Sequence, residues 1–271
     1  MIANTDPVIG VPSTRPEDLA LEDYVASIRW EYEIHAEPHE EDFRVFSAFT
    51  GPDELLVDIG ASIGISVASF RKFARFPKIV SFEPCPWLSP PLAWLKEKEG
   101  DRFEYFMVAA GAESAVRELC IPCLNNVPNF YLASCAPLRF GPHPVVIRAM
   151  KELMGAKQTD VYSVCKVTVQ IKPIDEFHLR PTLVKIDAET FEFDVLKGMT
   201  ETIQLCRPLI MVEGANRNID VLDFFQSRGY GFAERRESKL RITNETSESD
   251  NGFFVAQERI AEYTGRGLMV V

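Results

Sequence analysis

Five short apolar runs, each closed by an acid or a glycine, alternate along this chain with stretches that repeat apolar residues at helical spacing. They are "ELLVDIG" (54–60), "KIVSFEP" (78–84), "FEYFMVAAG" (103–111), "TLVKIDAE" (182–189) and "PLIMVEG" (208–214). Runs this short and this apolar suit strands buried on both faces of a parallel sheet. Between them, "IGISVASFRKFARF" turns Val67, Phe70, Phe73 and Ala74 inward. "FEFDVLKGMTETIQL" repeats Phe191, Val195, Met199 and Ile203 every four residues, which predicts one buried helix over 191–205. "IDVLDFFQSRGY" is a further helix stopped at Gly229, and "GFAERRE" and "NGFFVAQE" read as two closing strands. The alternation predicts an α/β fold with a doubly wound parallel sheet and helices on both faces.

Two segments interrupt the rhythm. Residues 1–50 form an N-terminal arm and two helical stretches, the first with Leu19, Tyr24, Val25, Ile28 and Trp30 on one side, the second with Phe43, Val45, Phe46 and Phe49. Residues 112–165 separate the third and fourth strands. They hold "VRELCIPC", "NFYLASC", a "GPHP" loop and an amphipathic helix over 145–154, and "KVTVQIK" after them alternates like a half-exposed strand. An insertion this long with its own structure is expected to serve function, and a lid-like role suits it. With the N-terminal residues Tyr32, Glu33, His35 and His39, and with His143, it would roof an acceptor pocket. The expected organisation is therefore an N-terminal region (1–50) and one sheet domain (51–271) carrying the insertion.

Charge narrows the partners. The chain has 271 residues with 40 acids against 29 Lys and Arg, a net charge of -11. A nucleic-acid partner calls for a basic face, so none is expected. No run is long enough to cross a bilayer, and the N-terminus has neither a basic start nor an apolar core, so a cytoplasmic protein without membrane attachment is expected. The six cysteines, Cys85, Cys120, Cys123, Cys135, Cys165 and Cys206, read as reduced thiols. Cys120-Ile-Pro-Cys123 permits a zinc reading, but a structural zinc site usually brings two close pairs and only one exists here.

The stretch "VDIGASIGIS" (57–66) reads two ways. Gly60-Ala61-Ser62-Ile63-Gly64 matches the G-x-S-x-G elbow that presents a nucleophilic serine. Such an elbow is followed by an acid and then a histidine. The histidines after Ser62 are His143, in the insertion, and His178, placed before the fourth strand at the wrong edge of the sheet. The alternative is a cradle. Gly60 would let the backbone approach a ligand closely, and the helix that follows would offer free N–H groups to a carboxylate.

Ligands of open parallel sheets sit beyond the C-terminal ends of the strands. Asp58, Glu83, Asp187, Glu189 and Glu213 all fall there. That acidic rim repels a phosphate-rich dinucleotide and suits the ammonium, sulfonium and ribose diol of S-adenosylmethionine. Glu83 stands 23 positions after Gly60, the place from which an acid takes ribose hydroxyls. Transfer of a methyl from that sulfonium needs positioning, and an acceptor that carries a proton needs a base. Asp187, with Glu189 as its partner, is the expected base or acceptor-orienting group. The same acids with Glu213 could instead hold a divalent cation, which is not the expected arrangement, and either could simply cap the following helix.

These blocks resemble a known family. "LVDIGASIGISVASF", "VSFEPCP", "VAAG", "IKPIDEF", "LVKIDAETFEFDVLKGM", "RPLIMVEG" and "SRGYGF" occur in the order and spacing of FkbM-type methyltransferases, over roughly residues 54–257. The resemblance implies a Rossmann-like class I S-adenosylmethionine domain that methylates a hydroxyl of a sugar, polyketide or similar small acceptor. It implies that Asp58, Gly60, Ser62 and Gly64 hold the methionine moiety, Glu83 the ribose, and Val108 and Ala109 the adenine. Two positions depart from the family pattern: Ser62 replaces an Asn, and Thr190 replaces the Gly that follows the acid. Two rival readings are a catalytically silent S-adenosylmethionine-binding protein and an NAD(P)-binding oxidoreductase of similar fold. The second lacks its G-x-G-x-x-G.

Overall fold

The computed structural model describes residues 21–75, 77–125, 127–136, 162–243 and 251–269. Its strands are β1 (Leu55–Ile59), β2 (Lys78–Phe82), β3 (Phe103–Phe106), β4 (Ala109–Ala110), β5 (Ala115–Leu124), β6 (Val127–Pro128), β7 (Tyr162–Lys172), β8 (Leu183–Ile186), β9 (Leu209–Glu213), β10 (Tyr230–Arg236), β11 (Lys239–Ile242) and β12 (Asn251–Ala256). Its helices are α1 (Leu21–Glu33), α2 (Ile65–Phe73), α3 (Ser89–Glu99), α4 (Glu192–Lys197), α5 (Thr200–Cys206), α6 (Ile219–Gln226) and α7 (Ile260–Gly265).

The main sheet runs β11-β10-β12-β9-β8-β1-β2-β3. Strands β3, β2, β1, β8 and β9 are mutually parallel, as the apolar runs predict. The far edge is not. β12 pairs antiparallel with β9, and β10 and β11 continue antiparallel, so the sheet is parallel only in its first five strands. The pleat sorts the core. Val57, Ile59, Val80, Phe82, Val184 and Ile186 feed one apolar layer. Leu56, Ile79, Leu183, Leu209 and Met211 feed the other, with Phe43, Phe46 and Phe49 from the N-terminal segment. Each such side chain taken from water stabilises the fold by about 1.5–3 kcal/mol.

Several expectations need correction. The run 103–111 does not make one strand. It breaks after Phe106, and β4 leaves the main sheet to pair with β7 in a second sheet ordered β4-β7-β5-β6. The helix expected over 191–205 is two, α4 and α5. The break falls at Gly198, where a Cβ would lie 1.8 Å from the Gly111 carbonyl oxygen, although Phe191, Val195, Met199 and Ile203 are all buried. The second N-terminal stretch is a 3-10 helix, Glu41–Ala48. Trp30 does not face inward. It is exposed and stacks on His35. Helix α3 has no counterpart among the sequence expectations; it carries Pro90 and Pro91 in its first turn, where a helix tolerates proline because the N–H is unbonded anyway. The amphipathic helix expected at 145–154, His143 and Leu19 lie outside the described residues. No helix among the described residues is long and apolar enough to cross a membrane.

Candidate active site

A cleft opens beyond the C-terminal ends of β1, β2 and β8. Its floor is the turn after β1. Gly60 has φ +79, and a Cβ there would lie 1.7 Å from the Asp187 carbonyl oxygen, so only glycine fits between the two segments. Ser62 follows at φ 51. Its hydroxyl is buried with no hydrogen-bond partner, so no base activates it as a nucleophile, which agrees with the argument from chain order. Gly64 opens α2 at φ +93, where a Cβ would collide with Leu95.

Glu83 lies at the end of β2, buried. Its carboxylate accepts the backbone N–H of Ser62 and that of Cys85, each at 2.8 Å, and so braces the turn. Burial pushes its carboxyl up to about 7, against the pull of those two N–H groups. Ala109 and Ala110 form a small-residue wall. Leu119 of β5 and, from the connection after β6, Phe130, Tyr131, Ala133, Ser134 and Cys135 line the cleft as well.

The fourth parallel strand delivers the acids. Asp187 and Glu189 line the cleft. Lys185 of β8 is buried, and its ammonium donates to Asp187 Oδ2 at 3.1 Å and to the Gly60 carbonyl at 3.1 Å. Burial opposes charge on both partners. The ion pair outweighs it, holding Asp187 below its ordinary value and Lys185 above. Glu213, at the end of β9, moves the other way. Burial, a hydrogen bond with Asp187 and the charge of Asp187 raise it well above the carboxylate range. The two shifts oppose one another across one carboxyl pair, Asp187 lowered and Glu213 raised. Asp187, Glu189 and Glu213 bring carboxylate oxygens within 4.8 Å of one another. Beside them stands the Lys185 ammonium, 3.1 Å from Asp187 Oδ2.

The loop after Asp187 is held unusually. Glu189 and Thr190 have φ 50 and 74, a left-handed pair without glycine. The Glu192 carboxylate accepts the N–H groups of Ala188 and Thr190, and the Ser134 hydroxyl donates to the Glu189 carbonyl. An adjoining groove runs past Glu189, Thr190, Glu192 and Glu213.

The cleft thus gathers Gly60, Ser62, Glu83, Ala109, Asp187 and Glu189. Three expected residues are placed elsewhere. Asp58 is wholly buried beneath the turn and accepts the Ser81 hydroxyl at 2.9 Å. Gly64 packs on α3, and Val108 packs against the core, with Ala110 on the wall instead. Tyr24 packs edge-on against Phe130 of the cleft. Of Tyr32, Glu33, His35 and His39, only His39 nears the site. Burial and then the charge of Lys185 push its imidazole down to about 4, and it bonds Ser69. Tyr32 donates to Glu99, Glu33 pairs with Lys98, and His35 pairs with Glu31. Cys120 and Cys123 are three apart on β5 and so point to opposite faces, which removes the zinc reading. Sequence reading missed Lys185, though a lone cation inside "LVKI" was its signal. Leu119, Phe130, Tyr131, Ala133, Ser134 and Cys135, which line the cleft, belong to the segment 112–165 expected to roof an acceptor pocket.

The model for the methyltransferase FkbM domain matches residues 58–232, more than half of the chain. The chain belongs to the FkbM methyltransferase family. The matched span includes every cleft residue named above, whereas His39 lies outside it. Three solved structures are similar in fold. An FkbM methyltransferase of Methylobacillus flagellatus KT is 17% identical, with a TM-score of 0.47, covering 89% of this chain and 56% of that one. This chain therefore spans little more than half of that protein. A methyltransferase of Geobacter sulfurreducens is 13% identical, with a TM-score of 0.41, covering 90% of each chain. An O-methyltransferase of Bacillus cereus in complex with SAH is 10% identical, with a TM-score of 0.40, covering 88% of this chain and 90% of that one. No curated protein matches the chain. Within the FkbM domain, Thr190 occupies a backbone conformation that suits glycine, which gives the departure at that position a physical meaning.

Proposed function

We propose that this FkbM domain is an S-adenosylmethionine-dependent O-methyltransferase acting on a hydroxyl of a small or medium acceptor, such as a sugar or polyketide. One observation carries the reading. The Asp187 carboxylate, paired with the Lys185 ammonium, stands in the same cleft as a glycine turn whose Ser62 hydroxyl and Glu83 carboxylate are free to take further hydrogen bonds. Those residues fit the methionine and ribose parts of the cofactor. Bound there, S-adenosylmethionine would supply an electrophilic methyl group on a sulfonium.

The chain's own residues do the rest. Gly60 lets the turn approach the ligand, and each Glu83 oxygen keeps a lone pair for a ribose hydroxyl. Asp187 would accept the hydrogen bond of the acceptor hydroxyl, orient it toward that methyl group and take its proton. Glu213, protonated, donates to Asp187 and keeps the proton-accepting charge on Asp187. Calorimetry with S-adenosylhomocysteine tests the cofactor half. Mass spectrometry for a gain of one methyl across hydroxylated sugars and polyketides tests the transfer. Absence of S-adenosylhomocysteine binding would refute the reading outright.

A further inference from the structure

We propose that Lys185 is a positioning residue: by donating at once to the Gly60 carbonyl and the Asp187 carboxylate, it sets the spacing between the cofactor turn and the acceptor base. The inference rests on the reading of Asp187 as that base.

The strand register builds the device. Ser81, Asp58 and Lys185 stand opposite one another across β2, β1 and β8, one polar row between apolar ones. Val184 and Ile186, on either side of Lys185, are fully buried. A lysine in such a strand must have its three donors met. Two go to Gly60 and Asp187, at 3.1 Å each, and the third faces Asp58 Oδ1 at 3.9 Å, an oxygen with no hydrogen bond of its own. A lysine present only to neutralise Asp58 would sit closest to Asp58. This one sits closest to the turn and to the base. The same two segments touch through the main chain, where the Asp187 N–H donates to the Ile59 carbonyl at 3.0 Å. The ammonium is thus the side-chain half of a joint between donor cradle and base. Replacing a buried ion pair by apolar groups of similar size is often neutral for stability, so stability alone gives little reason for a lysine here.

The test uses the full chain and compares Lys185→Met/Asp58→Asn with Asp58→Asn alone. That reference carries no orphaned carboxylate, so any difference belongs to Lys185. In the ligand-free proteins, amide hydrogen exchange at Gly60, Ala61 and Asp187 is expected to quicken at least tenfold in the double variant, while Val57 and Val184 keep their protection. The dissociation constant for S-adenosylhomocysteine is expected to rise at least tenfold over the reference. Lys185→Gln/Asp58→Asn, which keeps a donor in the row, is read in the same way should the methionine variant not fold. Unchanged exchange at the turn, or unchanged affinity, overturns the proposal and leaves Lys185 as the counter-ion of Asp58. If the native chain itself fails to bind S-adenosylhomocysteine, the cofactor reading falls, and the exchange measurement alone decides the role of Lys185.

Discussion

Replacing Glu83 by glutamine should make the protein more stable and a poorer cofactor binder, and pH should separate the two effects. The carboxyl ionises near 4.5 in the unfolded chain and at about 7 in the folded one. A raised carboxyl destabilises as it ionises. The unfolded state loses its proton first, so folding stability falls as pH rises from 4.5 through 7 and stays lowered above. That gap corresponds to about 3 kcal/mol. At pH 5 the protonated acid and the amide offer the same single good acceptor to the Ser62 and Cys85 N–H groups, so Glu83→Gln should match the native chain within about 1 kcal/mol. At pH 8 the variant is free of the ionisation penalty and should gain about 3 kcal/mol relative to its pH 5 comparison. Binding should move the other way. The amide nitrogen accepts nothing, so one hydrogen bond from a ribose hydroxyl to a charged acceptor is lost, worth roughly 1.5–3 kcal/mol, or about 10- to 100-fold in affinity at pH 8. Below pH 7 the native carboxyl is itself protonated, and the difference in affinity should shrink. Denaturant unfolding and calorimetry with S-adenosylhomocysteine at pH 5, 6, 7 and 8 measure both. A stability difference that stays flat with pH, or native affinity at pH 8, would refute the reasoning.

Asp187→Asn should lower turnover about 10²- to 10⁴-fold, the usual range for loss of a general base, while S-adenosylhomocysteine affinity stays within about twofold. Asp58 remains to balance Lys185 in that variant, so the melting curve should still show a folded protein. Turnover should survive EDTA, since Lys185 and protonated Glu213 already stabilise the Asp187 charge. Activity that is lost in EDTA and restored by a divalent cation would reject that expectation. Thr190→Gly should raise stability by about 1 kcal/mol. The left-handed backbone at φ 74 costs a β-branched residue on the order of 1–3 kcal/mol, and glycine gives back about 0.5–1 kcal/mol in unfolded-chain entropy. A lower melting temperature would show that Thr190 is not strained.

Two kinds of information lie unequally in this sequence. What depends on residues close along the chain was legible: the parallel strands, the glycine turn, and the acids at the strand ends that line the cleft. Gly60 shows why. Its positive φ is local, and so is its place between a strand and a helix. What depends on partners far along the chain was not. Asp58 reads as a rim acid like Glu83, since both end an apolar strand. Only the pairing with Ser81 and Lys185 shows that its side chain turns under the sheet while Glu83 turns toward the cleft. The need for glycine at Gly198 is set by the carbonyl of Gly111, which no window of "FEFDVLKGMTETIQL" contains. The antiparallel edge is hidden in the same way, because a buried strand presents the same apolar run whichever way its neighbour points. Lys185 lies between the two kinds. Its oddity was local, a cation among Leu183, Val184 and Ile186, but its meaning came from the register that sets it against Asp58 and beneath Gly60. A buried charge is costly without partners, so such a residue marks a place where distant segments must meet.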